Sequence, residues 1–255
     1  HVDYLILDEA DRMLDMGFYD DIMLIAKQLP KNRQNLLFSA TMPPKIRKLA
    51  NTLLKDPKSI SLAISKPAEG LTQNAYMVND NQKVKLVREI LKLRGKDLSH
   101  VLIFASSIRN VKEIKQTLNK SGMRANEMHS GLDQQQREQT IRDFKNKKIK
   151  ILVATDILSR GIDIKGIEIV INYEVPHDAE DYVHRIGRTA RADRTGEAIT
   201  LINSKQVKNF MDIESLIGKE VNKLVLPKGF EKAPLYKILK KGNTKKKWKK
   251  FKKSS

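Results

Sequence analysis

From residue 101 onward, short apolar runs and amphipathic stretches alternate at a steady spacing, and that rhythm restricts the chain to one class of fold. Strand signals fall at 101–105, 124–128, 150–154, 168–172 and 197–202, with helical periodicity at 108–119, 134–144 and 178–186 between them. Strands separated by helices pair in parallel and are covered on both faces, so the class is α/β. Ligands of such sheets bind at the carboxyl ends of the strands. Thr155 and Asp156 fall at such an end, as do Asp8 and Ser39 further upstream.

The first part of the chain is sparser. Residues 2–7 and 34–38 read as strands, 44–54 as a helix with proline in its first turn, and 58–63 as a third strand. Residues 65–70 (Ser-Lys-Pro-Ala-Glu-Gly) have linker chemistry. Two or three strands cannot close a core alone. The expected organisation is therefore a C-terminal remnant of one domain at 1–64, a linker at 65–70, a complete domain at 71–217 and a basic extension at 218–255. The chain starts on His1 and holds no Gly-x-x-x-x-Gly-Lys-Ser/Thr phosphate loop. Both features lead to the expectation of a fragment.

Charge narrows the partners. The net charge is +19, and +11 of it comes from residue 228 onward, where twelve lysines face one acid, Glu231. A polycation of this kind gains affinity for a phosphate backbone by releasing counterions. Trp248 and Phe251 among Lys245, Lys246, Lys247 and their neighbours supply faces on which bases can stack. The plainer alternative is a disordered, solubilising terminus. No apolar run approaches the roughly 20 residues of a membrane span, and no signal-peptide pattern is visible. With no cysteine, thiolate metal sites and disulfides are excluded. That fits a reducing compartment, and cytoplasmic is the expected location.

Five short segments carry chemistry. Asp8, Glu9, Ala10 and Asp11 follow an apolar run; adjacent carboxylates there can divide the labour of holding a hard cation and orienting water. Equally, Asp11 could be a plain helix N-cap. Ser39, Ala40 and Thr41 offer two hydroxyls at another strand end, or ordinary turn chemistry. The stretch 154–163, with Thr155, Asp156, Arg160, Gly161 and Asp163, allows a close backbone approach to a phosphate chain or a nucleotide sugar, unless it merely holds an Arg–Asp pair. His184, Arg185, Arg188 and Arg191 form a comb at three-residue spacing, suited to phosphate oxygens, whose nearest acids (Asp181 and Asp193) lie outside it. Gln134 and Arg137, just after His129, Ser130 and Gly131, sit at a predicted helix N-terminus that favours anions or is simply an exposed face. No zinc cluster, nucleophile elbow or dinucleotide fingerprint is present.

Taken in order, 8–11, 39–41, 102–104, 154–163 and 184–191 resemble the DEAD-box RNA helicases of superfamily 2, and the 228–234 segment resembles their bacterial RhlE-like branch. The resemblance covers residues 1 to about 217. It implies two RecA-like parallel sheets that close on ATP and RNA and bend one strand out of a duplex. By the same resemblance Asp8 would position Mg²⁺ through water and Glu9 would be the catalytic base. Arg188 and Arg191 would be arginine fingers, and Asp163 would meet the ATP ribose. Asp11, Ser39, Thr41 and His184 would couple hydrolysis to unwinding. Gln134, Arg137, Thr155 and Gly161 would contact RNA, with Lys245, Lys246, Lys247 and Trp248 adding tail contacts. Ala190 stands where the family usually has glycine. The implied partners are RNA, ribonucleoprotein or ribosomal precursors, with the protein a monomer. The rivals are an ATP-independent RNA-binding or annealing module and a DNA-tracking motor of the same superfamily.

Overall fold

A computed structural model of the chain describes residues 1–61, 70–95, 100–155, 167–189 and 196–237. The chain divides into two compact units, 1–65 and 66–255. No helix among the described residues is long and apolar enough to cross a membrane.

The first unit is a parallel pair of strands, β1 (Tyr4–Leu7) and β2 (Gln34–Leu37), with helices α1 (Ala10–Asp15), α2 (Tyr19–Gln28) and α3 (Pro44–Leu53). Pro44 occupies the first turn of α3, where its missing N–H costs nothing. Leu7, Ala10, Ile22, Ala26, Ile46, Leu49 and Leu53 form the core. Strand alternation sends Leu5 and Leu7 toward it and leaves Tyr4 and Ile6 on the other face, 62% and 58% exposed. Residues 58–61, read from sequence as the start of a third strand, are not a strand, and Ile60 is 86% exposed. A β-branched run needs a neighbouring strand to pair with, and among the described residues none adjoins this one.

The second unit is built on a seven-stranded sheet in the order β5-β6-β4-β7-β8-β3-β9, parallel throughout. The strands are β3 (Leu71–Met77), β4 (Val101–Phe104), β5 (Ala125–Met128), β6 (Ile151–Ala154), β7 (Ile169–Asn172), β8 (Gly196–Ile202) and β9 (Asn222–Leu224). Period-two alternation splits the core. Val101 and Ile103 face α4 (Lys83–Leu93) and α5 (Ile108–Lys120). Leu102 and Phe104 face Phe144 of α6 (Gln134–Lys145). On that second side, Ala75, Ala198 and Ile202 meet α7 (Ala179–Ile186) and α8 (Val207–Ile217). Helices on both faces explain why β4 and β6 are apolar at every position and β7 at all but its last, Asn172. Ser107 caps α5 by accepting from the Asn110 N–H at 3.2 Å, and Asp133 and Gln136 close a reciprocal capping box on α6.

Candidate functional site

In the first unit, Leu7 pairs with Leu37, so the segments following β1 and β2 leave the same end of the sheet. The Phe38 N–H donates to Leu7 O at 2.8 Å and the Ala10 N–H to Phe38 O at 3.0 Å, which draws 8–11 against 39–41. Side chains complete the connection. Ser39 Oγ accepts from the Asp11 N–H at 3.2 Å and donates to Thr41 O at 2.7 Å. The Thr41 N–H and hydroxyl both donate to Asp11 Oδ2, at 3.0 and 3.1 Å. Three hydrogen bonds thus join two motifs nearly thirty residues apart, and a fourth braces the second motif internally.

Asp11 is not the N-cap of α1, the alternative open in the sequence; Glu9 holds that position, without a side-chain cap bond. Glu9 is left-handed, φ 50° and ψ 47°. A non-glycine residue there costs roughly 1–2 kcal/mol. The turn lets the chain pass from strand to helix at once, and Glu9 O accepts the first helical N–H groups, from Arg12 and Met13. Ala10 is fully buried behind it, while Asp8 is exposed and Glu9 half-buried. Arg12 Nη1 lies 3.6 Å from Glu9 Oε2. One acid of the motif is therefore tied to the neighbouring loop, while two are presented outward.

No cluster of three or more His, Cys, Asp or Glu side chains suited to a metal occurs among the described residues. A lone exposed carboxylate such as Asp8 fits Mg²⁺, which keeps several waters and shares its sphere with substrate phosphates. It does not fit a caged cation.

In the second unit, the arginine comb is not one surface. Arg185 is 7% exposed and points inward. Its Nη1 donates to Asn172 Oδ1 and Glu174 O, each at 3.2 Å, and its guanidinium lies 5.2 Å from the centre of the Phe104 ring. This corrects the equal-spacing reading of 185, 188 and 191. The signal was available: Tyr182, Arg185 and Ile186 share the buried helical stripe of α7. His184 is exposed on α7, and Arg188 follows the helix half-buried. Thr189 fixes that exit, donating from Oγ1 to Ile167 O at 2.7 Å. Arg191, Asp156, Arg160, Gly161, Asp163, Ala190, Lys245, Lys246, Lys247, Trp248 and Phe251 lie outside the described residues.

Gln134, Arg137 and Thr155 come together at one corner. β5 and β6 are neighbours, and the Thr155 N–H donates to Met128 O at 3.0 Å, just before the loop into α6. Gln134 is exposed and donates to Glu138 Oε1; Thr155 is buried. Arg137 is half-buried, with two guanidinium N–H groups on the carbonyls of Leu132 and Ser130.

Two groups at the strand ends escaped the sequence reading. Glu174 accepts from the Ser106 N–H at 3.0 Å and from Asn110 Nδ2 at 2.5 Å, bracing β7 against β4 and α5. Lys83 is 1% exposed, with Nζ 3.1 Å from Gln206 Oε1 and 3.2 Å from Asp80 Oδ1. Burial pushes its ammonium below the usual lysine range, against the pull of Asp80. Its partners lie after β3 and β8, which no local pattern announces.

Residues 1–49 match the family described as DEAD/DEAH box helicase, and residues 82–193 match the helicase conserved C-terminal domain. The ATP-dependent RNA helicase CshA of Listeria monocytogenes is 39% identical over 228 residues, 89% of this chain and 44% of its own. The chain belongs to the DEAD-box helicase family. A probable ATP-dependent RNA helicase of Methanocaldococcus jannaschii is 42% identical, over 88% of this chain and 59% of its own. Among solved structures, a DEAD box protein from the hyperthermophile Methanococcus jannaschii is 41% identical with TM-score 0.56, covering 88% of this chain and 60% of that one. S. cerevisiae Dbp5 bound to RNA and ADP BeF3 is 29% identical with TM-score 0.77, covering 87% and 59%. The parallel sheets are thus the RecA-like sheets of DEAD-box helicases. This chain spans about half the length of the curated relatives it matches.

Proposed function

We propose that this DEAD-box chain is part of an ATP-dependent RNA helicase that separates short RNA duplexes or remodels RNA–protein complexes. The observation that carries the reading is the Asp11–Ser39–Thr41 lattice. A carboxylate motif at a strand end is hydrogen-bonded directly to a second loop, so a change at Asp8 or Glu9 is transmitted through Asp11 to Thr41. The likeness to Dbp5 bound to RNA and ADP BeF3 supports ATP and RNA as the ligands.

In this reading Glu9 orients and deprotonates the attacking water, and Asp8 holds Mg²⁺ through water. When bound, Mg²⁺ neutralises charge on the phosphates. Arg188 and Arg191 meet the charge that develops in phosphoryl transfer, Asp163 takes the ribose, and His184 takes part in coupling. Gln134, Arg137, Thr155 and Gly161 hold the RNA backbone. The tail, through Lys245, Lys246, Lys247 and Trp248, adds salt-sensitive affinity. The sequence holds no Gly-x-x-x-x-Gly-Lys-Ser/Thr. The 255 residues by themselves therefore hydrolyse ATP slowly or not at all.

The test is RNA-stimulated ATP hydrolysis, by this chain and by the chain fused to the preceding part of a DEAD-box relative. Turnover only in the fusion supports the helicase reading. No turnover in either, with salt-sensitive RNA binding in both, makes the chain an ATP-independent RNA-binding module instead.

A further inference from the structure

Between β5 and α6 the chain turns within five residues, and the turn is wound around a buried imidazole. His129 is 3% exposed. Its Nδ1 accepts from the Gly131 N–H at 3.2 Å, and its carbonyl accepts from the Leu132 N–H at 3.1 Å. A Cβ on Gly131 would stand 3.2 Å from Nδ1 and 3.3 Å from Cε1, so no larger residue fits against the ring without displacing it. On the outside of the same turn, Arg137 Nε donates to Leu132 O at 2.9 Å and its Nη2 to Ser130 O at 3.3 Å. The ring sets Gly131, Gly131 sets the carbonyls on either side of it, and those carbonyls aim the guanidinium.

We propose that His129 is a positioning residue for Arg137, fixing through the 129–132 turn the guanidinium that meets an RNA phosphate. The inference rests on the reading of Arg137 as an RNA contact. Its chemistry is specific. An Nδ1 that accepts from a backbone N–H carries no proton, so the neutral ring carries its proton on Nε2. The charged groups around the ring are Glu127, with Oε2 3.6 Å from Nε2, Lys115, paired to Glu127 at 3.0 Å, and Arg137 across the turn. Ile108 supplies the apolar wall on the Gly131 side.

The experiment measures binding of single-stranded oligouridylate to the full 255-residue chain by fluorescence anisotropy across a salt series. Each phosphate contact on a single strand contributes a slope of about 0.7 in log K against log salt. Arg137→Ala reduces the slope by about that amount and weakens binding several-fold. His129→Gln, which places its acceptor where Nε2 stood, does the same although Arg137 is intact. His129→Asn places an amide oxygen close to the Nδ1 position and restores wild-type behaviour. Melting temperatures of both amide variants confirm that folded proteins are compared. If Arg137→Ala lowers the slope while both His129 variants bind as wild type, the positioning role is overturned. If both His129 variants lose binding equally, it is overturned too, because packing rather than the Nδ1 acceptor is at work. If Arg137→Ala changes nothing, the RNA-contact reading itself falls, and the inference with it.

Discussion

The Tyr236 hydroxyl donates to the Glu214 carboxylate at 2.5 Å, across 22 residues. The same carboxylate takes Lys223 Nζ and the Val221 N–H, the latter at 2.7 Å. Tyr236 and Phe210 meet edge to face, with Lys223 over both rings. Glu214 is thus the point at which the segment after α8 is fastened to the second unit.

That fastening has a pH signature. Burial by itself would raise the Glu214 carboxyl; the bonds from Lys223, Tyr236 and Val221 outweigh it and hold the carboxyl below its ordinary 4.5. A depressed carboxylate contributes stability above its unfolded value and loses it as pH falls through the folded value. Stability should therefore fall as pH drops below about 4.5. Tyr236→Phe removes a donor to the ionised form and should shift the acid-unfolding midpoint, followed by circular dichroism, to higher pH. An unchanged midpoint would mean that Tyr236 holds the segment by packing alone.

Arg185 and Arg188 should separate cleanly. Arg185→Ala leaves Asn172 Oδ1 and Glu174 O without their guanidinium and opens space against Phe104. A buried acceptor left without its donor costs about 1–3 kcal/mol, and two are left here, so the melting temperature should fall sharply. Arg188→Ala should lower melting less than Arg185→Ala and slow ATP hydrolysis by roughly 10³-fold in the chain fused to the preceding part of a DEAD-box relative. Equal melting losses would place Arg188 in the framework too.

In the same fusion, Glu9→Gln should retain RNA and ATP binding and lose turnover by roughly 10²–10⁴-fold, the range of general-base removal. Near-normal turnover would remove Glu9 as the base. The substitution keeps the left-handed backbone strain, so folding should be little altered.

Thr41→Val removes the hydroxyl donor to Asp11 Oδ2 and keeps the shape of the side chain. One hydrogen bond to a charged group is worth about 1.5–3 kcal/mol, and the melting loss should fall in that range. If the lattice carries coupling, RNA-stimulated hydrolysis should persist while duplex separation per ATP declines. Proportional loss of both would argue against a coupling role.

The legible parts of the fold were those whose information is local. β4, β6 and β7 are buried on both faces and apolar but for Asn172 at the end of β7, so each announces itself. β3 does not: Gln73 and Asn74 sit in its middle, and their bonds go to Tyr182 and Glu197, more than a hundred residues away. Residues 58–61 show the converse, strand-like residues without a strand to pair with among the described residues. At the candidate site, residue types and order were legible in 8–11 and 39–41. Their junction was not, because it depends on the β1–β2 register. Regular spacing misled at Arg185 and Arg188, where burial divides two residues that share a period.

The sheet order also bears on how the protein is made. β3 opens the second unit in sequence yet lies between β8 and β9, the last two strands. Asn74 and its partner Glu197 are 123 residues apart. At synthesis rates of about 5–20 residues per second, β3 leaves the ribosome on the order of ten seconds before either neighbour exists. Leu71, Ala75 and Met77, buried in the finished protein, spend that interval uncovered. The emerging chain therefore carries a bare strand through about half of these 255 residues' translation, a natural target for chaperones that shield nascent polypeptides.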